Sequence, residues 1–134
     1  MSDLYTKSLN EYLAMAASKS PTPGGGSVSA VTATNAAAMV SMVANLTIGK
    51  KGYEAAQEQA KRIAAEAMAV IEELKGLTAE AMAALDTFMG AWRLPSTHED
   101  EKTATEAAME KAAQNASQVP VRNCRAFLGI PALA

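Results

Sequence analysis

Residues 20–51 read SPTPGGGSVSAVTATNAAAMVSMVANLTIGKK, from Ser20 to Lys51. No charged residue occurs between Lys19 and Lys50, a run of 30 positions. That run exceeds the roughly 20 apolar residues that span a bilayer. Its start, however, holds Pro21, Pro23 and three glycines, and Thr32, Thr34, Asn35, Ser41, Asn45 and Thr47 are spread along the rest. The stretch therefore reads as the central buried helix of a bundle rather than a membrane span, from about Val28 to Ile48. The prolines stop whatever precedes them. The glycines permit backbone angles closed to other residues, Ser27 suits an N-cap, and Gly49 suits the C-terminal cap. A helix with so little charge needs neighbours on every side, which in a short chain argues for a second subunit.

Working outward, the flanking segments are helical too. Leu4, Leu9, Tyr12, Leu13 and Ala16 recur at helical spacing, predicting a first helix from about Asp3 to Ala17. After a Lys50-Lys51-Gly52 turn, a third helix from Tyr53 to Lys75 sets Glu58, Arg62 and Glu66 outside and Ile63, Ala67, Val70 and Leu74 inside. Gly76 is expected to end it, and Thr78 to open a fourth helix that Pro95 stops near Arg93. Ser96 with Glu99 reads as a capping box for a fifth helix to about Gln118. Pro120 then begins a short last helix through Leu128. The expected fold is all-α, an up-and-down bundle of about five helices in one domain over 1–134, with short connections and a dimeric assembly.

Composition bounds the function. At 134 residues and 49% hydrophobic the chain suits one domain with a real core, not a disordered one. Aromatics are 4%, so alanine and methionine fill the space between helices. A net charge of −2 gives no broad attraction for nucleic acid or anionic lipid. One cysteine, Cys124, and one histidine, His98, exclude an internal disulfide and cysteine or multi-histidine metal cages. No basic segment followed by an apolar run opens the chain, so the expected setting is the reducing cytoplasm.

Chemistry concentrates at the glycine segment. A loop of Pro23, Gly24, Gly25, Gly26 and Ser27 ending at a helix N-terminus presents free N–H groups and partial positive charge, a cradle for an anion or polar ligand. A plain connector needs one glycine; three cost backbone entropy. No lysine follows as in a phosphate loop, and no strand precedes as in a dinucleotide fingerprint. Asn35 suits an interhelical hydrogen bond, whereas Asn45, near the Gly49-Lys50-Lys51 turn, suits either that or a ligand. Lys50 and Lys51 either complement the helix C-terminus or capture an anionic tail. Asp86 and Arg93, seven apart, share a helix face and form either an ion pair or part of a site. Phe88 and Trp92 are expected in the core, with stacking on a flat ligand the other reading. His98 is expected at the solvated surface and Cys124 as a small packed residue.

Two blocks carry a resemblance. Ser20 to Val28, and Ser41-Met42-Val43-Ala44-Asn45-Leu46-Thr47-Ile48-Gly49-Lys50-Lys51-x-Tyr53, are similar to the cyclodeaminase domain of formiminotransferase-cyclodeaminase and to the bacterial methenyltetrahydrofolate cyclohydrolases. Trp92-Arg93-Leu94-Pro95 and Gln118-Val119-Pro120 resemble later blocks of the same family. The resemblance implies an all-helical dimer acting on one-carbon tetrahydrofolates without a metal or redox cofactor. In both reactions a tetrahedral carbon forms between two folate nitrogens, which requires a base for the attacking group and an acid for the leaving one.

On that resemblance the glycine loop and Asn45 bind substrate. Lys50, Lys51 and Arg93 meet its carboxylates or polarise the reacting centre, with Lys50 and Asp86 as catalytic candidates. Two departures stand out. The family's domain is longer, and its further helical block has no counterpart after Leu128. An acidic residue common in relatives falls at Ala81, and an asparagine at Asp86. A non-catalytic ligand-binding or dimerisation module on the same scaffold is the alternative, and an unrelated adaptor whose loop is only a turn is the third reading.

Overall fold

The computed structural model describes residues 3–94 and 98–129. Within them all regular structure is helical: α1 (Leu9–Ala16), α2 (Gly25–Thr47), α3 (Gln57–Trp92) and α4 (Glu99–Gly129), with 3-10 turns at Leu4–Thr6 and Glu54–Ala56. Four α-helices thus replace the five and a stub expected, and the merges have a common physical cause.

Gly76 does not end a helix; α3 runs through it for 36 residues. A mid-helix glycine costs about 1 kcal/mol. Leu74 and Leu77, 0% and 1% exposed, flank it, and burying a leucine gives about 1.5–3 kcal/mol. Burial on both sides outweighs the local cost. Pro120 likewise lies inside α4 rather than starting a new helix. Val119 and Ala126 are buried on the same side of α4 and hold its two halves against one core.

The N-terminal segment is split where one helix was expected. Asp3 caps only the 3-10 turn, accepting from the Tyr5 N–H at 3.0 Å. Ser8 then makes a capping box with Glu11: its hydroxyl accepts from the Glu11 N–H at 3.3 Å, and the Glu11 carboxylate accepts from the Ser8 N–H at 2.8 Å. The reciprocal pair satisfies two donors that a continuous helix would not need to expose. Tyr5 ties this segment to the bundle, its hydroxyl lying 3.0 Å from both Thr34 Oγ1 and Thr78 Oγ1.

α2, α3 and α4 are successive antiparallel neighbours. Gly24 approaches Leu85 and Gly26 approaches Ala81, so α3 runs opposite to α2. Arg122 forks onto Glu80 between α4 and α3. Ala33 and Ala37 of α2, Leu74 and Leu77 of α3, and Val119 and Ala126 of α4 form the shared core. The alanines let the helix axes come close.

α2 is not buried all round. Among the 18 residues of its most apolar window only 39% are buried, although its length and mean hydropathy of 1.3 would allow it to cross a membrane. One side packs on α3; Met39, Val43 and Leu46 are exposed, Met39 and Val43 along the groove that α2 forms with α3. Its C-terminus ends as expected, with Gly49 at φ 74°. Gln57 clips the following turn, accepting from the Gly49 N–H at 2.7 Å and donating to the Thr47 and Tyr53 carbonyls.

Candidate functional site

The glycine segment forms one wall of a pocket of about 200 Å³. Gly24 to Ser27 line it from α2, Ala81, Ala84 and Leu85 from α3, and Ala116, Val119 and Pro120 from α4. The cap is Gly24, not Ser27, and it offers no side-chain hydrogen bond. The helix's first backbone bond is the Val28 N–H to the Gly24 carbonyl at 3.0 Å. The N–H groups of Gly25, Gly26 and Ser27 therefore have no carbonyl ahead of them within the helix. Ser27, 1% exposed, sits inside the first turn among the pocket residues.

Gly24 is needed for space, and none of the three glycines for unusual backbone angles. Gly24 has φ −88°, and among the described residues positive φ is confined to Gly49 and Gly52. A Cβ on Gly24 would lie 2.6 Å from Leu85 Cδ2 and 3.1 Å from the Pro21 carbonyl oxygen. One on Gly26 would make an ordinary 3.5 Å contact with Ala81, and one on Gly25 would meet nothing. Pro23 is buried beneath the segment, and the Thr22–Pro23 peptide is cis.

Asn123 of α4, which the sequence reading missed, supports this wall. Its Nδ2 donates to the Gly26 carbonyl at 3.0 Å. Because a carbonyl only accepts, that bond fixes which end of the amide is nitrogen. The opposite atom, Oδ1, is buried with no hydrogen-bond partner. No local pattern announces such a residue: it lies 97 positions from Gly26.

The other expected site residues are elsewhere. Ala81, Ala84 and Leu85 share a face at i, i+3 and i+4, and Asp86 is turned about 100° from Leu85. Asp86 is exposed and lines no part of the glycine pocket. Arg93, also exposed, is the C-cap beyond α3 and makes no ion pair with Asp86. Asn45, Lys50 and Lys51 stand at the opposite end of α2 from the glycines, and 23 residues at 1.5 Å each separate the two groups by about 35 Å. Asn45 donates to the Ser41 hydroxyl at 3.3 Å within the same helix, and the Lys50 ammonium lies 4.8 Å over the Tyr53 ring. Beside them α2 and α3 enclose an apolar groove of about 360 Å³ that includes Val40, Val43, Ala44 and Ile63. One chain thus holds a polar cradle at one end and a cationic, apolar end at the other.

Several lesser expectations change. Asn35 is exposed rather than bonded between helices. Trp92 is 63% exposed, meeting Phe88 edge-on at 6.1 Å between ring centres, so it is not core. Cys124 is exposed beside the α2–α4 groove rather than packed. His98 is at the surface as expected. Ser96 lies outside the described residues.

Ala81 carries particular weight. It is the position at which the resemblance places an acid, and here it faces Gly26 from across the pocket. All ten residues lining that pocket are uncharged.

The formiminotransferase-cyclodeaminase family profile matches residues 8–134. The methenyltetrahydrofolate cyclohydrolase of Methylorubrum extorquens is 38% identical over 119 residues, covering 89% of this chain and 57% of the relative. The formimidoyltransferase-cyclodeaminase of Sus scrofa is 30% identical over 88% of this chain and 22% of its own length. The crystal structure of formiminotetrahydrofolate cyclodeaminase from Thermotoga maritima superposes with a TM-score of 0.76 at 32% identity, covering 92% of this chain and 57% of that one. The chain spans little more than half the length of the cyclohydrolase and of the solved cyclodeaminase.

Proposed function

Because the chain belongs to the formiminotransferase-cyclodeaminase family, we propose that it binds a one-carbon-substituted tetrahydrofolate in the glycine pocket and acts as a cyclohydrolase or cyclodeaminase. The observation that carries this reading is the uncapped first turn of α2 opening onto that pocket. Three backbone N–H groups and the positive helix end suit the carbonyl and ring nitrogens of a pteridine. The apolar walls from Ala81, Ala84 and Leu85 suit its flat face.

The chemistry divides between two directions. A cyclohydrolase adds water to the methenyl carbon; one carbon–nitrogen bond breaks and the released nitrogen takes a proton. A cyclodeaminase joins a folate nitrogen to the formimino carbon and releases ammonia. Either needs a proton donor and acceptor beside the reacting carbon. Asp86 and Lys50 remain the candidates for these roles, and Lys51 and Arg93 for the folate carboxylates, although none of the four lines the glycine pocket of its own chain. The proposed setting is a homodimer in the cytoplasm. The open side of α2 and the single cysteine support those two points.

The second reading is a binding module that no longer turns substrate over. Ala81 favours it, since a methyl group stands where the resemblance places an acid. Titration with 5-formyl-tetrahydrofolate should saturate on either reading, and failure to bind overturns both. Accelerated loss or gain of methenyl-tetrahydrofolate absorbance supports the enzyme. Saturable binding without any rate effect selects the module, and Ala81→Glu is then expected to introduce turnover.

A further inference from the structure

The glycine pocket does not stand alone on the seam between α2 and α4. The seam opens again into an apolar groove of about 470 Å³ whose lining includes Val28, Thr32 and Ala33 of α2 and Asn123, Cys124 and Phe127 of α4. The two helices run the same way here. Gly24 to Ser27 meet Ala116, Val119 and Pro120 at the pocket, and the next turns of both helices meet at the groove. Helical rise sets the two cavities about 7–11 Å apart along the seam.

Size divides the ligand between them. Pockets that bury a drug-sized molecule run to about 300–1,000 Å³. At about 200 Å³ the glycine pocket holds a bicyclic head and little more, and the groove is the larger cavity. A reduced folate has matching parts: a pterin head, a linker of a methylene and a nitrogen, and a benzoyl ring beyond it. That linker covers the spacing of the cavities. The apolar groove between α2 and α3 lies out of its reach, because Val43 there stands about 27 Å along α2 from Gly25.

The groove also has the chemistry for a flat ring. Phe127 is 47% exposed and offers an aromatic face on which a second ring can stack. Val28 and Ala33 supply apolar surface from α2. Asn123 stands where the cavities meet: its Nδ2 is held by the Gly26 carbonyl of the pocket wall, and the residue lines the groove. Among the described residues its Oδ1 is the buried side-chain oxygen without a partner, and an unmet buried acceptor is unfavourable. The linking nitrogen of 5-formyl-tetrahydrofolate carries a hydrogen and falls at this junction.

We propose that the groove holds the benzoyl ring of the folate whose pterin lies in the glycine pocket, with Phe127 stacked on that ring and Asn123 accepting from the linking N–H. This rests on the reading that the pocket takes a reduced folate.

Cys124, the chain's one thiol, is exposed on the groove wall and reports its occupancy. Alkylation of the unmodified protein by iodoacetamide should slow as 5-formyl-tetrahydrofolate is added, with the same midpoint as binding. The head alone, 6-methyltetrahydropterin, should leave the rate unchanged. Phe127→Ala should weaken 5-formyl-tetrahydrofolate binding about tenfold. Thr32→Trp fills the groove from an exposed position and should weaken binding at least as much. Val43→Trp, which fills the α2–α3 groove instead, should leave binding unchanged. Circular dichroism should show wild-type helicity for all three. Saturable binding with Cys124 alkylated at the unliganded rate, or with Phe127→Ala and Thr32→Trp at wild-type affinity, overturns the groove assignment and leaves the folate reading standing. If 5-formyl-tetrahydrofolate does not bind the unmodified protein, the folate reading fails and the groove assignment with it.

Discussion

The Asn123 side chain donates to the Gly26 carbonyl at 3.0 Å, joining α4 to the first turn of α2 across 97 residues of sequence. It is the polar link between the glycine wall and the helix opposite, and its other amide atom is buried without a partner. The wall's position therefore depends on a residue that no local motif would single out.

Asn123→Ala is expected to lower stability by about 1 kcal/mol, the net worth of one hydrogen bond. Removing the unpartnered Oδ1 offsets part of that loss. Chemical denaturation measures it. Weaker folate binding by more than the stability change accounts for would place the bond in support of the site.

Gly24 and Gly25 should respond in opposite ways. Gly24→Ala drives a methyl group toward Leu85 and the Pro21 carbonyl, and overpacking of this kind costs about 1–3 kcal/mol. Gly25→Ala enters open space and, by reducing unfolded-chain freedom, should be neutral or stabilising by up to about 1 kcal/mol. Thermal midpoints of the two variants decide it; equal effects would contradict the packing described for Gly24.

Gly76→Ala should stabilise the protein by about 0.5–1 kcal/mol, because position 76 is helical, exposed and free of any contact to a new methyl group. A destabilised variant would mean that α3 breaks at Gly76.

The capping box predicts a pH dependence. Bonds from the Ser8 hydroxyl and then its backbone N–H hold the Glu11 carboxyl below its ordinary value of 4.5. A depressed folded-state pKa stabilises above the unfolded value and loses that contribution as pH falls through the folded one. The Ser8 amide resonance should therefore stay constant from neutral pH to about 4.5 and shift on further acidification. Glu11→Gln should abolish that shift, and a Ser8 resonance indifferent to the substitution would argue against the box.

The amino-acid sequence alone established the all-helical class, the C-terminal end of the uncharged helix and the family to which its two signature blocks point. These are local signals. Gly49 caps a helix through its own backbone, and the glycine segment announces a helix start through neighbours a few residues away. The tertiary structure decided what depends on distant contacts. α3 and α4 continue through Gly76 and Pro120 because burial in the shared core exceeds local costs of about 1–3 kcal/mol. Helix phase turned Ala81 into the pocket and Asp86 out of it, and only the bundle could bring Asn123 to Gly26. The length of α2 set Lys50 and Lys51 far from the glycines that the resemblance had grouped with them, because a straight helix keeps its two ends apart.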